Sequence, residues 1–467
     1  MFEFIVLFNS LFIMFFTLWI ARRFFGLFRF DFLIVEYLFL YVILSQIFIA
    51  AMIFYFSSEN LLPQTKTTIF FMEHLSWERE YVLVSLIATN YAIVSFVLSL
   101  VIFSRMKKDP LFLKFHIKEM RQEDVLLFLA FSMIFQVGFL VFFIKDFPLI
   151  QLLSGNTGFS ATATRVLFSR SGGIKSKLLM QMIDVVFPIV SYISLSDYLT
   201  SKSKKKGLLF FSFFILTLFS KLLPLAKGPA ASYVISIVCL WSFCSSKKIQ
   251  LKKLFQIGLL IALTVFFMYQ ISFDFERASD TFLSIIDRIF LVQYASLPLH
   301  FKIFPEFVPF ANGLSATIFK WLGFEHIEVS REVMAFIFPR QVVENTLGTA
   351  NTLFIGDAYG NFGVFGVVFS PIIVAFWIFL SAELLNRSKN SINVAFSFYL
   401  LWMFVNSFNG GFMAAYVFNI RLLVVLILYL SIRLFQLFKV SLSQLLLLQK
   451  VPNAMLSTTQ SEERPIS

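Results

Sequence analysis

The chain alternates long apolar runs with short segments of polar and charged residues. An apolar run of about 17 to 25 residues is long enough to cross the hydrocarbon core of a bilayer as a helix. We therefore predict an all-α integral membrane protein with about eleven transmembrane helices. The predicted spans lie near residues 2–20, 32–56, 81–103, 125–144, 178–198, 208–224, 229–246, 254–272, 361–383, 392–408 and 415–437.

The composition agrees with this pattern, because 58% of the residues are hydrophobic and 14% are charged. A soluble domain needs more polar surface than this, whereas lipid replaces water around most of a membrane protein. The net charge of +12 does not indicate nucleic-acid binding, since most lysines and arginines fall in short loops between the apolar runs. Cys239 and Cys244 lie on one predicted helix and point different ways, so neither a disulfide nor a metal site is expected.

Every second loop is basic, which predicts the orientation of the chain. Short loops rich in lysine and arginine stay on the cytoplasmic side of a membrane. The N-terminus is then predicted outside and the C-terminal tail inside. The basic loops are residues 21–30, 104–121, 200–207, 245–253 and 385–390.

Residues 145–177 and 273–360 form the two largest loops on the predicted outer side. A structureless loop as long as the second is unusual, and TFLSIIDRIFLVQYA at 281–295 has apolar residues at helical spacing. That spacing predicts an amphipathic helix on the membrane surface. Residues 1–450 are thus predicted to form a single polytopic membrane domain, and residues 451–467 a disordered tail.

Two groups of basic residues on the predicted outer side are candidates for an anion site. Arg165 and Arg170 follow a stretch rich in glycine, serine and threonine, whose backbone N–H groups can cradle an anion, and arginine binds phosphate through two oxygens. Lys227 comes before Gly228 and Pro229 at a predicted helix start, where the helix dipole favours an anion. The alternatives are basic side chains among lipid headgroups and a hairpin turn with a solvated lysine.

The loop 273–360 supplies the candidate acid–base groups. It contains ten acids, Asp357 among them, and the histidines His300 and His326. Each histidine is either an ordinary loop residue or a general base. The sequence has no HExxH and no G-x-S-x-G motif, so metalloprotease and serine hydrolase chemistry lack support.

Asp357 falls at the predicted outer boundary of the span near 361–383. An acid at that depth is either an interface residue or the wall of a site that faces the outer loop. Gly360, Gly363 and Gly366 recur every three residues, and on a helix they would form a smooth strip for close packing.

The sequence resembles the Wzy-type oligosaccharide repeat-unit (O-antigen) polymerases of the bacterial inner membrane. The resemblance rests on three features: many helices with one dominant outer loop late in the chain, the step AKGPA at 226–230, and TANTLFIGDAYGNFGVFG at 349–366. It implies a GT-C-like glycosyltransferase that crosses the inner membrane many times, with a periplasmic N-terminus, a large, partly helical periplasmic loop and a cytoplasmic C-terminus.

The resemblance also implies the substrates and the site. Repeat units linked to undecaprenyl pyrophosphate would be both donor and acceptor, and the reaction would need no metal or other cofactor. The expected partners are these units and the membrane lipid, with no nucleic acid, and a chain-length regulator is left open. The basic residues expected to bind the pyrophosphate are Arg165, Arg170, Lys227, Arg277 and Arg288. The expected catalytic residues, among them the base that activates the acceptor hydroxyl, are His300, Glu276 and Asp357. At Lys227 the family pattern has arginine, and a lysine loses the two-pronged geometry.

Three other functions compete with this expectation. An O-antigen ligase has similar chemistry with a different acceptor. A flippase or other transporter of lipid-linked glycans would line a central cavity with charged residues, whereas the centres of the predicted spans are almost free of charge apart from Glu36 and Asp184. A scaffolding membrane protein would not need basic outer loops.

Overall fold

A computed structural model describes residues 2–27, 33–57, 78–106, 125–155, 173–225, 227–245, 278–286, 292–316, 322–344, 347–350 and 352–436, with a few isolated residues between these ranges. The regular structure in these ranges is helical, without a β-strand. Residues 1–420 form one compact unit and residues 421–467 a second.

Eight of the described helices are long and apolar enough to cross a membrane. They coincide with eight of the predicted spans, which are thereby confirmed as helices of membrane length. The agreement has a physical cause, because hydrocarbon offers backbone groups no hydrogen-bond partner and a long apolar run must satisfy them within itself. The predicted span 254–272 falls almost entirely outside the described residues.

The first four helices are all of membrane length. In chain order they are α1 (Phe4–Phe25), α2 (Leu33–Ile53), α3 (Arg79–Arg105) and α4 (Leu126–Asp146). Helix α3 is central, since it packs against α1, α2 and a later helix of the chain. It buries Leu86, Ile93 and Phe96 and leaves Ile87 and Ile102 exposed. Exposed apolar side chains on a helix of membrane length are what contact with lipid requires.

The next group contains one helix of membrane length, α6. Its members are α5 (Pro148–Leu153), α6 (Ser176–Ser201), α7 (Lys204–Leu222) and α8 (Lys227–Cys244). The predicted spans 208–224 and 229–246 lie on α7 and α8. Helix α7 carries four lysines, and the apolar part of α8, Gly228–Cys244, is shorter, so neither is among the eight. Cys239 and Cys244 are buried free thiols on α8.

The described part of the large predicted loop contains six short helices joined by turns and extended segments. These helices are α9 (Ala278–Ile286), α10 (Val292–Ala295), α11 (Leu297–Ile303), α12 (Val329–Ile337), α13 (Pro339–Val343) and α14 (Phe354–Phe362). The helix predicted at 281–295 is confirmed over 281–286, and the chain is helical again in α10. We call the described residues between 292 and 362 the cap. Within it α11 and α12 pack on α14, and α11 also packs on α3.

Three further helices of membrane length follow the cap. They are α15 (Val364–Arg387), α16 (Ser391–Asn409) and α17 (Met413–Gln436). Gly363 has φ +59° and separates α14 from α15, so the prediction of three glycines on one helix is wrong. The close packing is nevertheless confirmed at two of them. A Cβ atom on Gly360 would overlap the Val329 side chain, and one on Gly366 would overlap the carbonyl oxygen of Ala358 in α14.

The second unit is described as far as Gln436. It continues as a helix, in which Arg433 donates a hydrogen bond to Gln436 Oε1 at 2.7 Å. The guanidinium of Arg433 also lies 5.2 Å from the ring centre of Tyr429. These contacts one turn apart support the end of the described helix.

Candidate functional site

Asp357 is a buried carboxylate that caps a helix distant in sequence. It lies on α14, and its Oδ2 accepts a hydrogen bond from the backbone N–H of Met413 at 2.9 Å. Met413 opens α17, and the first N–H groups of a helix have no partner within it. A carboxylate there satisfies an unpaired donor and interacts favourably with the helix dipole.

Burial raises the pKa of the Asp357 carboxyl to about 6, and the hydrogen bonds from the Met413 and Phe412 amides oppose that rise. Water stabilises the charged form of a carboxylate, so its removal favours the protonated form. Asp357 therefore changes charge close to neutral pH, and this change of protonation alters the strength of its hydrogen bond to the start of α17.

Asn361, one turn after Asp357, ties the cap together through both ends of its amide. Its Nδ2 donates to the carbonyl oxygen of Asp357 at 2.7 Å, and its Oδ1 accepts from the Gly313 N–H at 3.2 Å. The Asn312 N–H also donates to the Asn361 carbonyl at 3.0 Å. The side chain is fully buried, so these bonds replace water that the amide has lost.

His300 lies on α11 and is fully buried. Its Nδ1 is 2.8 Å from the carbonyl oxygen of Ser296, an acceptor, so Nδ1 carries the proton and donates. Burial lowers the pKa of the imidazole to about 4, which keeps it neutral at pH 7. Nε2 is then a hydrogen-bond acceptor, and within the described part of the chain it has no partner.

Gly356 brings His300 and α14 into contact. A Cβ atom at position 356 would lie 3.2 Å from Cγ of His300 and would overlap the methyl group of Thr352. The Thr352 hydroxyl is buried and, like His300 Nε2, lacks a partner among the described residues. The imidazole thus packs on the residue that precedes Asp357, and two unpaired polar atoms flank the same glycine. Buried polar atoms without partners are uncommon and often mark functional positions.

Polar contacts fasten the cap to the first turn of α3. Tyr81 donates to Glu306 Oε2 at 3.2 Å, and Lys302 Nζ lies 3.4 Å from Glu78 Oε1. Deeper in the interface, the hydroxyl groups of Ser85 and Tyr294 are hydrogen-bonded at 2.9 Å. The contacts join residues more than two hundred positions apart, so they fix where the cap stands.

A second polar cluster lies between α6 and α7. Lys221 Nζ is 3.1 Å from Asp184 Oδ1, and both side chains are largely buried. Asp184 stands in a π-helical stretch of α6, and its carbonyl oxygen accepts from the Tyr399 hydroxyl at 3.0 Å. Ionisable residues within helices of membrane length are costly, and functional sites account for many of them.

Of the predicted site residues, the structure brings His300 and Asp357 together around α14. The side chains of the other six lie outside the described residues; for Lys227 the backbone is described and opens α8. The six are Glu276, Arg165, Arg170, Lys227, Arg277 and Arg288. His326, the other histidine considered, has Nε2 at 3.2 Å from the Ser315 carbonyl oxygen and belongs to a local turn. The roles expected for the predicted residues stay predictions.

Sequence reasoning missed Asn361, Thr352 and Lys221. Lys221 was visible as a charge inside an apolar run, which is a signal for a buried partner. Asn361 lies four residues after Asp357 on one helical face, but its partners are backbone groups, which leave no trace in a sequence.

No protein-family model, no curated protein and no solved structure matches the chain. The protein is all-helical in its described residues and has eight helices that could span a membrane, as a multi-pass membrane protein has.

Proposed function

We propose that the protein polymerises oligosaccharide repeat units linked to undecaprenyl pyrophosphate at the outer face of the bacterial inner membrane. The observation that carries the proposal is the cap. A long polar segment between membrane-length helices is folded, docked on α3, and holds a buried histidine against the helix that leads into α15. The resemblance to the Wzy-type polymerases supplies the substrate class.

In the proposed reaction, a hydroxyl oxygen of the acceptor unit attacks the anomeric carbon of the sugar that carries the growing glycan. The bond from that carbon to the pyrophosphate oxygen breaks, and the lipid pyrophosphate leaves with the bonding electrons. The hydroxyl proton passes to a base. Basic side chains stabilise the charge that develops on the leaving group; the proposed ones are Arg165, Arg170, Lys227, Arg277 and Arg288.

His300 is the base that we propose, ahead of Asp357 and Glu276. Its Nδ1–H is held by the Ser296 carbonyl, and the neutral ring leaves Nε2 as an acceptor for a proton. Asp357 Oδ2 already accepts from Met413, so its proposed role is to hold α14 in place. His300 is fully buried, so the proposed reaction includes a movement of the surrounding side chains that gives the acceptor hydroxyl access to Nε2.

The test is to delete the gene and separate the surface polysaccharide of the host by size on a gel. We expect the long-chain ladder to collapse to core carrying a single repeat unit, and complementation with the wild-type chain to restore it. A His300→Gln chain is expected to leave the collapsed pattern, and His326→Gln, which alters a turn histidine, to restore the ladder. An unchanged ladder in the deletion strain contradicts the proposal; loss of all repeat units from the core points to a ligase or a flippase.

A further inference from the structure

Two aromatic rings stand exposed side by side on the surface of the cap. Phe307 is 53% exposed and Phe336 37%, and their ring centres lie 5.1 Å apart at an interplanar angle of 49°. A single exposed phenylalanine is ordinary, but two paired rings form a continuous apolar surface that water covers poorly.

Hydrogen bonds and packing fix the position of both rings. The backbone N–H groups of Phe307 and Val308 both donate to the carbonyl oxygen of the buried Ile303, at 2.9 and 3.1 Å. Phe336 stands on α12, which is anchored by its buried residues Val329, Val333 and Ile337. The ring pair is therefore preformed, and a ligand would lose little free energy in ordering it.

An exposed carboxylate directly precedes one of the two rings in the chain. Glu306 precedes Phe307, is exposed, and accepts one hydrogen bond from Tyr81 at 3.2 Å. A carboxylate has about four lone-pair sites, so Glu306 keeps the capacity to accept from a ligand. Glu78, near Lys302, is exposed on the same edge of the cap.

The charges around the rings indicate that this surface faces water. Arg79 and Glu80 at the start of α3 are exposed, and so are Glu306, the residue before Phe307, and Arg340, four residues after Phe336. Exposed charges of both signs do not stand in hydrocarbon, where each costs several kcal/mol. A lipid-facing surface would show apolar side chains without such a border.

We propose that Phe307, Phe336, Glu306 and Tyr81 form a saccharide-binding patch, which holds a sugar ring of the lipid-linked repeat unit. One face of a pyranose carries mainly C–H groups and stacks on an aromatic ring, while the hydroxyl groups at its edge donate to carboxylates. The choice of this saccharide rests on the function proposed above. The patch itself rests on the ring pair and on the exposed, hydrogen-bonded Glu306 that precedes Phe307.

The first experiment measures binding of the repeat-unit oligosaccharide, released by mild acid from the lipid-linked pool of the host, to the full chain in detergent. Saturation-transfer NMR is expected to show transfer from the protein to sugar C–H protons. The variants Phe307→Leu, Phe336→Leu and Glu306→Gln should each weaken binding about fivefold, since one aromatic contact or hydrogen bond is lost. The matched control is Phe365→Leu, which alters a ring on α15 that is 74% exposed.

The binding data decide the proposal in either direction. Affinities of the three variants within twofold of the wild type would overturn it, and so would the absence of binding to the wild-type chain at millimolar saccharide. Size-exclusion profiles and melting temperatures equal to those of the wild type show that a weakened variant is still folded.

A second experiment tests contact with lipid, the competing explanation for exposed rings. A spin label is attached through Phe336→Cys in the chain reconstituted in nanodiscs; Cys239 and Cys244 are buried and stay unlabelled. Preferential access of a water-soluble nickel complex to the label supports the patch. Preferential access of oxygen, which dissolves in lipid, overturns it.

The patch and the proposed function fail in different measurements. An intact polysaccharide ladder in the deletion strain refutes the polymerase but leaves a measured loss of saccharide binding in Phe307→Leu valid. Unchanged binding in all patch variants refutes the patch and leaves the ladder result untouched.

Discussion

The contact between α14 and α15 can be tested by adding one methyl group. In Gly366→Ala the new Cβ would lie 2.5 Å from the carbonyl carbon of Ala358 and overlap its oxygen. Carbon atoms in contact are separated by about 3.5 to 4.0 Å, so the two backbones must move apart by about 1 Å. The obstacle is backbone rather than a flexible side chain, so a change of rotamer does not relieve it.

The expected effect is the difference between two terms. Overpacking of a close contact costs about 1 to 3 kcal/mol. Alanine in place of glycine in a helix returns about 0.5 to 1 kcal/mol. We therefore expect Gly366→Ala to lower the free energy of unfolding by about 1 kcal/mol, the midpoint of a range of about 0 to 2.5 kcal/mol. Because α14 also carries Asp357, the same movement should lengthen its 2.9 Å hydrogen bond to Met413.

The assay is thermal unfolding in detergent, followed by the loss of the monodisperse peak in size-exclusion chromatography. The control is Gly138→Ala on α4, where no atom lies within 4 Å of the added Cβ. Gly366→Ala should melt a few degrees below the wild type, and Gly138→Ala at or above it. A Gly366→Ala chain that melts with the control would show that the close contact between the two helices is misplaced.

Three further predictions concern the polar groups of the cap. The pKa of Asp357 is raised to about 6, so its contribution to stability is present below about pH 4 and is lost as the pH rises through 6. In Asp357→Asn the melting temperature should depend less on pH in that window and should be higher than that of the wild type at pH 8. An unchanged dependence on pH would contradict the burial of the carboxylate. The pKa of His300 is lowered to about 4, so stability is lost as the pH falls from about 6.5 through 4. Over this range the melting temperature of His300→Gln should fall less than that of the wild type, and an equal fall would place the imidazole in water. Asn361→Ala leaves the Gly313 N–H without its acceptor and should lower the free energy of unfolding by about 1 to 3 kcal/mol, seen as a lower melting temperature at pH 7. An unchanged melting temperature would show that water replaces the lost acceptor.

Hydropathy predicted the membrane-length helices well, because a single chain segment in lipid can satisfy its backbone hydrogen bonds only as a helix. A run such as 81–103 has no backbone partner in lipid except its own, and the structure has α3 there. The break at Gly363 could not be predicted in the same way. Glycine fits both a tightly packed helix and a left-handed turn, and its φ of +59° is decided by the fold around it.

The site was predicted in part, and the division has a physical cause. The sequence singles out His300 as a histidine within the large loop, and Asp357 as an acid at the outer boundary of a predicted span. Their surroundings depend on groups far away in sequence, such as the Met413 amide, and on a glycine at 356 that lets the imidazole approach α14. The spacing of residues along the chain carries no information about such contacts.

The hydrogen bond between Asp357 and the first turn of α17 joins two segments that the ribosome makes at different times. Asp357 precedes Met413 by 56 residues. At about 5 to 20 residues per second, the ribosome adds Asp357 about 3 to 11 seconds before it makes the amide that the carboxylate caps. The hydrogen bond from the start of α17 to Asp357 therefore forms only after α16 has been synthesised and α17 has begun. A nascent chain that ends before residue 412 leaves the Asp357 carboxylate without these amide donors, however well its earlier helices have inserted.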